Sequence, residues 1–257
     1  MIVEKIQQKL VDIEKEHQVK ILYACESGSR AWGFESKDSD YDVRFIYIKD
    51  INWYLNLEHQ RDVIECPIEN ELDVNGWDLK KSLILMKKSK PPLFEWLESP
   101  IIYLSDLEFY YEMRKLSKKF YISKGAVYHY NHTASANFRE YLQGVQVRVK
   151  KYFYVLRPLL AAKWIKQGGE VPPPMEFNKL VEHMIPNGEL KDDIKELVER
   201  KRNGLEDNYT TKIWSISQFI EKEMDIIKER IEMPDETNSD IQLLNDFFQK
   251  TLRRWYK

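Results

Sequence analysis

The hydrophobic positions of the chain follow two different periods, and the change between them falls close to residue 76. Before that point, an apolar stripe with spacings of three and four residues predicts an amphipathic helix over residues 2–16. Short runs of β-branched and aromatic residues follow, and such runs predict strands. The runs lie at residues 19–25, 41–48, 63–64 and 72–74. We therefore expect a small sheet in the first part of the chain.

After Gly76 the apolar residues recur at helical spacing, and Asp78 stands where the first turn of a helix favours an acid. Proline and glycine breaks divide the remaining chain into segments that predict helices. These segments are residues 106–120, 132–168, 189–202, 210–232 and 239–256. The sequence thus predicts an α+β protein, with a small mixed β-sheet in a domain of residues 1–90 and a mainly helical domain of residues 91–257.

The composition narrows the class of protein. The 257 residues include 40 Lys and Arg, 42 Asp and Glu, and two cysteines. A chain of this length needs no disulfide framework to hold a core, so we expect reduced thiols and a cytoplasmic location. No apolar run approaches the roughly 18 residues of a membrane span, so we expect no membrane partner. The net charge of −2 argues against coating of nucleic acid through bulk charge, although a local basic face fits within that total.

Residues 26–46 carry the candidate chemistry. Gly28 and Ser29 follow a predicted strand and precede a segment that fits a first helical turn, so backbone N–H groups there can face a phosphate. Asp40 and Asp42 stand at the head of the next strand, whose two-residue period places both carboxylates on one face. Such a pair repels unless a cation lies between the carboxylates, and Mg²⁺ suits hard oxygen ligands together with substrate phosphates. The combination is what metal-assisted nucleotidyl transfer requires.

These residues resemble the DNA polymerase β-type nucleotidyltransferase superfamily, whose signature is a Gly-Ser turn followed about ten residues later by Asp-x-Asp. Within it, the chain is similar to a bacterial family of predicted nucleotidyltransferases, the RNA repair pathway DNA polymerase beta family. The similarity extends over about residues 15–207. Its segments are GSRAWGF (28–34), SDYDVRF (39–45), GWDLKK (76–81), EWLESP (95–100) and KKYFYVLRPLL (150–160). One loop departs from the family pattern, because Ser-Lys-Pro stands at 89–91 in place of Ser-Asn-Pro.

The resemblance implies roles for these residues. Asp40 and Asp42 would bind two Mg²⁺ ions, for which Mn²⁺ is a substitute. Gly28 and Ser29 would hold the triphosphate of a nucleotide such as ATP, and Arg30 would belong to the same nucleotide-binding set. The fold expected for such a site is a sheet like the palm of polymerase β.

The superfamily has a third catalytic and metal-binding carboxylate on a neighbouring strand between apolar residues. Asp73, between Leu72 and Val74, fits that pattern best. Asp78 is the rival, although its position at the head of a helix is also explained by capping. Glu71 is the third choice.

The helical half offers a second signal. The stretch from residue 141 to 169 contains six basic residues and no acidic one. On a helix, Lys150, Tyr154 and Arg157 share one face, and two cations beside an aromatic ring suit a nucleotide or RNA. The alternative is a solvated basic face over an aromatic core stripe.

Two functions from different classes follow. The first is a Mg²⁺-dependent nucleotidyltransferase that moves a nucleoside monophosphate from an NTP to a hydroxyl acceptor and releases pyrophosphate. The family label implies RNA repair, with an RNA end as the acceptor, whereas the superfamily also modifies proteins and small molecules. The second is a non-catalytic, antitoxin-like regulatory module that binds a nucleotide or RNA. The carboxylates Asp40 and Asp42 favour catalysis, because a degenerate regulator has little reason to keep them.

Overall fold

The computed structural model describes residues 2–69, 71–205, 208–228, 233 and 240–256. Its strands are β1 (Lys20–Glu26), β2 (Tyr41–Ile48), β3 (Val63–Glu65), β4 (Leu72–Asp78), β5 (Ile102–Ser105), β6 (Gln146–Arg148) and β7 (Tyr209–Thr211). The helices of the first half are α1 (Ile2–His17), α2 (Ser29–Trp32), α3 (Ile51–Tyr54), α4 (Leu79–Lys87), α5 (Pro91–Leu97) and α6 (Leu107–Phe120). Those of the second half are α7 (Ser123–Tyr141), α8 (Val149–Lys166), α9 (Phe177–Met184), α10 (Glu189–Arg202), α11 (Trp214–Lys228) and α12 (Gln242–Trp255).

The described residues form two compact units, and neither is a continuous stretch of chain. The first unit combines residues 2–31, 40–121 and 240–256. The second unit combines residues 32–39 with the chain that follows residue 121, up to helix α11. The predicted boundary at residue 90 falls inside the first unit, because β5 pairs with β1 and α6 also packs against that strand.

A five-stranded mixed sheet organises the first unit, in the order β3-β4-β2-β1-β5. Strand β2 lies between β1 and β4, antiparallel to β1 and parallel to β4, so the end of β1 and the beginnings of β2 and β4 lie at the same end of the sheet. Helix α1 covers one face, since its stripe of Ile6, Leu10 and Ile13 joins the buried core under the strands. The α+β class with a small mixed sheet is therefore confirmed.

The second unit is mainly helical. Its longest helices, α7 and α8, pack against each other, and β6 and β7 form a separate two-stranded sheet. The segment 32–39 contributes Phe34, which is buried against Phe153 at 4.4 Å and Phe177 at 5.5 Å between ring centroids. The Gly33 carbonyl accepts a hydrogen bond from Arg202 at 2.8 Å. Aromatic packing thus fixes this short segment among the helices.

Three secondary-structure predictions need correction. The segment predicted as one helix over 132–168 contains parts of two helices, α7 and α8, because the helix ends at Tyr141 and the chain then forms strand β6 before α8 begins. Strands β5, β6 and β7, of three or four residues each, were not predicted. The predicted helix over 210–232 begins at Trp214, and residues 229–232 lie outside the described part. None of the described helices is long and apolar enough to cross a bilayer.

Asp78 ends β4 and caps helix α4, as its position in the sequence predicted. One carboxylate oxygen accepts the Lys80 N–H at 2.8 Å and the other accepts the Tyr54 hydroxyl at 2.6 Å. The residue is fully buried, and burial raises the pKa of its carboxyl to about 6. Because the folded pKa exceeds the ordinary value of 3.8, the unfolded chain ionises first as the pH rises.

The pH dependence of the free energy of unfolding tests this position. Between pH 4 and 7, ionisation of Asp78 should remove roughly 2–3 kcal/mol of stability from the wild-type protein. Asp78→Asn cannot ionise, so its stability relative to wild type should rise by that amount as the pH rises through this range. Urea unfolding at several pH values measures the difference.

Asp106 provides a control of opposite sign. It caps α6, and although partial burial acts to raise its pKa, hydrogen bonds from the Phe109 N–H and Arg254 lower the pKa below its ordinary value. The stability that this carboxylate contributes is present at neutral pH and lost on acidification. Asp106→Asn should therefore lose stability relative to wild type as the pH rises. The same pH trend in both variants would contradict our interpretation of Asp78.

Candidate active site

Three carboxylates lie at the same end of three neighbouring strands in the five-stranded sheet. Glu26 ends β1, while Asp42 and Asp73 lie near the beginnings of β2 and β4. In the strand register Asp42 stands directly beside Asp73, and Glu26 stands beside Val43. The parallel pairing of β2 with β4 therefore brings together two aspartates that are 31 positions apart in the sequence.

The turn after β1 packs directly against Asp42. The Ser27 N–H donates to the Asp42 backbone carbonyl at 2.9 Å, which joins the turn to the head of β2. A Cβ atom on Gly28 would lie only 1.6 Å from Oδ2 of Asp42. Gly28 is therefore required by space, because any side chain would displace either the turn or the carboxylate. Ser29 follows as the first residue of the short helix α2.

Arg44 lies between the two aspartates. It follows Asp42 by two residues on β2, so its side chain shares the Asp42 face of the sheet. Its Nη2 atom donates to Oδ1 of Asp42 at 3.2 Å and to Oδ2 of Asp73 at 2.7 Å. Its Nη1 atom donates to the backbone carbonyls of Val43 and Asp73 at 3.1 and 2.9 Å. This guanidinium offsets the repulsion between the carboxylates.

The two aspartates differ in which oxygens are engaged. Asp73 also accepts a hydrogen bond from Nδ2 of Asn75 at 2.6 Å on Oδ1, so both of its carboxylate oxygens have donors. Asp42 gives Oδ1 to Arg44, and its Oδ2 faces the Gly28 turn. The side of Asp42 that faces the turn is therefore where a bound cation would meet a phosphate held by the turn.

The surroundings of Asp42 shift the pKa of its carboxyl. Burial raises the pKa of this carboxyl to about 6. Arg44 acts in the opposite direction, whereas Glu26, Asp73 and Asp40 each raise the pKa further through repulsion. A divalent cation would relieve the same repulsion, because it favours the ionised form.

The donor chemistry fits Mg²⁺, although the side chains are not arranged as a complete metal site. Asp42 and Asp73 contact the same nitrogen of Arg44, so their oxygens lie within reach of one ion if that hydrogen bonding rearranges. Among the described residues, no three His, Cys, Asp or Glu side chains form a group that could hold a metal ion. Asp40, which precedes β2 and is exposed, is the carboxylate whose sequence position allows it to complete the set.

The structure separates the three choices for the third carboxylate. Asp73 stands beside Asp42 and shares Arg44 with it. Asp78 stands beside Tyr47 at the other end of β4, about 16 Å along the strand from Asp73. Glu71 precedes the strand, is exposed and adopts a positive φ of 66°. The geometry therefore favours Asp73.

Arg30 belongs to the same part of the first unit. Its guanidinium carbon lies 3.7 Å from the centre of the Tyr41 ring, and its Nε atom donates to the Asp40 backbone carbonyl at 3.3 Å. Arg30 thus connects helix α2 with the head of β2. The cation directly follows the turn, and its place in the nucleotide-binding set stays a prediction.

The basic stretch of α8 divides into different surroundings within the second unit. Arg157 is 5% exposed, lies over the Trp32 ring and donates to the Met175 carbonyl at 3.4 Å, which favours a structural role. Tyr154 is 37% exposed, with the Lys151 ammonium 4.8 Å from its ring centre. Lys150 is half-buried. The nucleotide-binding face predicted for Lys150, Tyr154 and Arg157 therefore lacks the Arg157 guanidinium, which is buried, and the alternative of a solvated basic face does not describe this residue either.

The sequence alone assigned no role to Arg44 or to Glu26. The two-residue period that placed Asp40 and Asp42 on one face also places Arg44 there, so this signal was available. The role of Glu26 needed the antiparallel register of β1 and β2, which brings the end of one strand to the head of the other.

The mixed sheet carries a Gly-Ser turn beside the paired aspartates Asp42 and Asp73, which is the arrangement expected from the resemblance to polymerase β-type nucleotidyltransferases. The sequence model of the RNA repair pathway DNA polymerase beta family (RlaP) matches residues 2–250. The chain belongs to that family.

The chain is also similar to individual proteins. The chain is 49% identical over 228 residues to the "Uncharacterized protein YcgL" of Bacillus subtilis (strain 168). This alignment covers 87% of each protein. Among solved structures, a nucleotidyltransferase-like protein from Exiguobacterium sibiricum 255-15 aligns with a TM-score of 0.29 and 12% identity. That alignment covers 98% of this chain and 81% of the other.

The contact between Gly28 and Asp42 gives a direct test of the site. Gly28→Ala places a methyl group where Oδ2 of Asp42 lies, so the turn and the carboxylate must separate. We expect the affinity for a Mn²⁺-nucleotide complex, measured by calorimetry, to fall about tenfold or more.

Gly125→Ala is the matched control. Gly125 lies in helix α7, and a Cβ atom there would meet only Ile122, at an ordinary distance of 3.7 Å. This change should leave nucleotide affinity unchanged and add about 0.5–1 kcal/mol of stability, since alanine is the better helix former. Equal affinities for the two variants would show that the turn does not contribute to a ligand site.

Proposed function

We propose that this protein is a metal-dependent nucleotidyltransferase that transfers a nucleoside monophosphate from an NTP to a hydroxyl acceptor and releases pyrophosphate. The observation that supports it most is the strand register that sets Asp42 beside Asp73, with the Gly28 turn packed against Asp42. Transfer of this kind depends on positioning and charge stabilisation, and this end of the sheet contains a Gly-Ser turn beside clustered carboxylates.

The proposed roles follow the geometry. Asp40, Asp42 and Asp73 hold the metal ions, and the turn at Gly28 and Ser29 holds the triphosphate. Bound Mg²⁺ supplies charge neutralisation of the triphosphate and a lowered pKa for the attacking hydroxyl.

Arg44 and Arg30 add two cations of this chain's own near the site. Arg44 has to give up at least one of its hydrogen bonds before both aspartates can offer oxygens to an ion. Arg30 lies on α2, directly after the turn, where its charge suits a nucleotide phosphate.

Arg44 also supports the second candidate function. Because its Nη2 atom already lies between Asp42 and Asp73, the protein itself supplies a cation to the carboxylate pair. A regulatory module that binds a nucleotide or RNA without turnover would have the same arrangement. Binding of a Mn²⁺-nucleotide complex without product formation, across the candidate acceptors, would favour this function.

For the acceptor we propose an RNA end. The second unit carries cation–aromatic pairs at the start of α8: Lys151 lies 3.6 Å from the centre of the Tyr141 ring and 4.8 Å from that of Tyr154. Arg148 lies 5.4 Å from the centre of the Tyr209 ring, which is 59% exposed. Exposed rings beside cations form the stacking and charge surface that single-stranded nucleic acid uses.

Substitution of the aspartates tests the proposed chemistry. Asp42→Asn and Asp73→Asn each remove a charge that the ions require, so we expect transfer to fall more than about a hundredfold. The assay follows labelled NTP with Mg²⁺ or Mn²⁺ into total RNA or protein extract.

Asp78→Asn is the control, because this aspartate lies at the opposite end of β4 and should retain activity. Asp40→Asn completes the series. Retention of more than about a tenth of wild-type transfer by both Asp40→Asn and Asp42→Asn would refute the metal assignment.

Substitution of an aromatic residue tests the acceptor. Tyr154→Ala removes a stacking ring and should weaken binding of a short single-stranded RNA by about 1–3 kcal/mol, or roughly five- to a hundredfold. Fluorescence anisotropy measures this affinity.

The control is Lys163→Ala on the same helix, since Lys163 is engaged with Glu223 at 2.6 Å. Equal RNA affinities for the Tyr154 and Lys163 variants would direct the search to protein or small-molecule acceptors.

A further inference from the structure

Glu26 is a buried carboxylate at the centre of the candidate site. It is 0% exposed, and among the described residues it forms no ion pair. Its negative charge stands close to Asp42 and adds to the repulsion there. An apolar residue at the end of β1 would avoid both the desolvation and the repulsion. The fold therefore keeps a costly group at this position.

Three donors hold the Glu26 carboxylate. Oε1 accepts the Asp42 N–H at 2.8 Å and the Gly28 N–H at 3.4 Å. Oε2 accepts the Tyr103 hydroxyl at 2.6 Å. One oxygen thus binds the backbone of both the turn and the head of β2.

The backbone of Glu26 is fixed as well. Its N–H donates to the Ile101 carbonyl at 3.0 Å, and its carbonyl accepts the Ser99 hydroxyl at 2.6 Å. Because both the main chain and the carboxylate are held, the side chain has a defined position from which to orient its two N–H donors.

We propose that Glu26 is a positioning residue that holds the Gly28 turn and the Asp42 backbone at a fixed separation and thereby sets the affinity for the metal-bound triphosphate. The inference rests on the proposed function. It assigns Glu26 no contact with the substrate, since its carboxylate oxygens face protein donors. Its contribution is to fix the relative positions of the Gly28 turn and Asp42, which are the groups proposed to contact the metal-bound triphosphate.

Two substitutions separate the hydrogen bonds from the charge. Glu26→Gln keeps an oxygen for the Gly28 and Asp42 N–H groups, whereas Glu26→Leu is apolar, similar in size and accepts no hydrogen bond. The probe is the Mg²⁺ complex of an ATP analogue with a methylene bridge between its α and β phosphorus atoms, titrated by calorimetry. We expect Glu26→Leu to weaken binding roughly ten- to a hundredfold and Glu26→Gln by less than about threefold.

Glu14 is the matched control, because it makes the same type of contact at the other end of β1. Its Oε1 atom accepts the Ile21 N–H at 2.7 Å, and it contacts neither Gly28 nor Asp42. Glu14→Leu should lower thermal stability without a change in analogue affinity. Affinities for Glu26→Leu equal to those of wild type or Glu14→Leu would overturn the proposal.

Amide hydrogen exchange provides a readout that needs no nucleotide. In Glu26→Leu, the N–H groups of Gly28 and Asp42 should exchange faster than in Glu26→Gln and in Glu14→Leu. If the wild-type protein does not bind the analogue, the proposed function fails, and the exchange rates alone then test whether Glu26 positions the Gly28 and Asp42 amides. Unchanged exchange at both amides would overturn the role of Glu26, and faster exchange confined to them would support it.

Discussion

The local structure of the site depends on how the fold accommodates carboxylates that repel one another. The register of three strands places Glu26, Asp42 and Asp73 at one edge of the sheet. Backbone N–H groups and a hydroxyl satisfy the buried member, while the guanidinium of Arg44 bridges the two aspartates. Because every one of these carboxylates accepts hydrogen bonds, and the two aspartates share the cation of Arg44, this end of the sheet can hold the negative charge in a partly buried space.

The close placement of these carboxylates determines which residue types can surround them. The close approach of Asp42 leaves space only for glycine at position 28, and the strand period allows a cation at position 44 to reach both aspartates. Asn75, two residues after Asp73 on β4, donates to the oxygen that Arg44 does not contact. The period of two thus operates on both parallel strands, and each aspartate has a donor residue two positions further along its own strand.

The parts of the structure that depend on local sequence were predictable. The stripe of α1, the cap at Asp78 and the turn at Gly28 each follow from neighbouring residues. The adjacency of Asp42 and Asp73 came from the family resemblance, because no local pattern specifies a parallel pairing across a connection of more than 20 residues. The burial of Arg157 was missed for the same reason, since its partners Trp32 and Met175 are distant in sequence.

Both compact units are built from separate stretches of the chain, so a boundary at residue 90 would not separate them. The segment 32–39 joins the Gly28 turn to Asp40 and Asp42, yet it packs inside the helical unit through Phe34. A cut at residue 90 would remove β5 from the sheet and would separate Phe34 from the aromatic rings that bury it. Each unit therefore needs chain from both sides of the cut, and the family match over residues 2–250 has the extent that this interleaving requires.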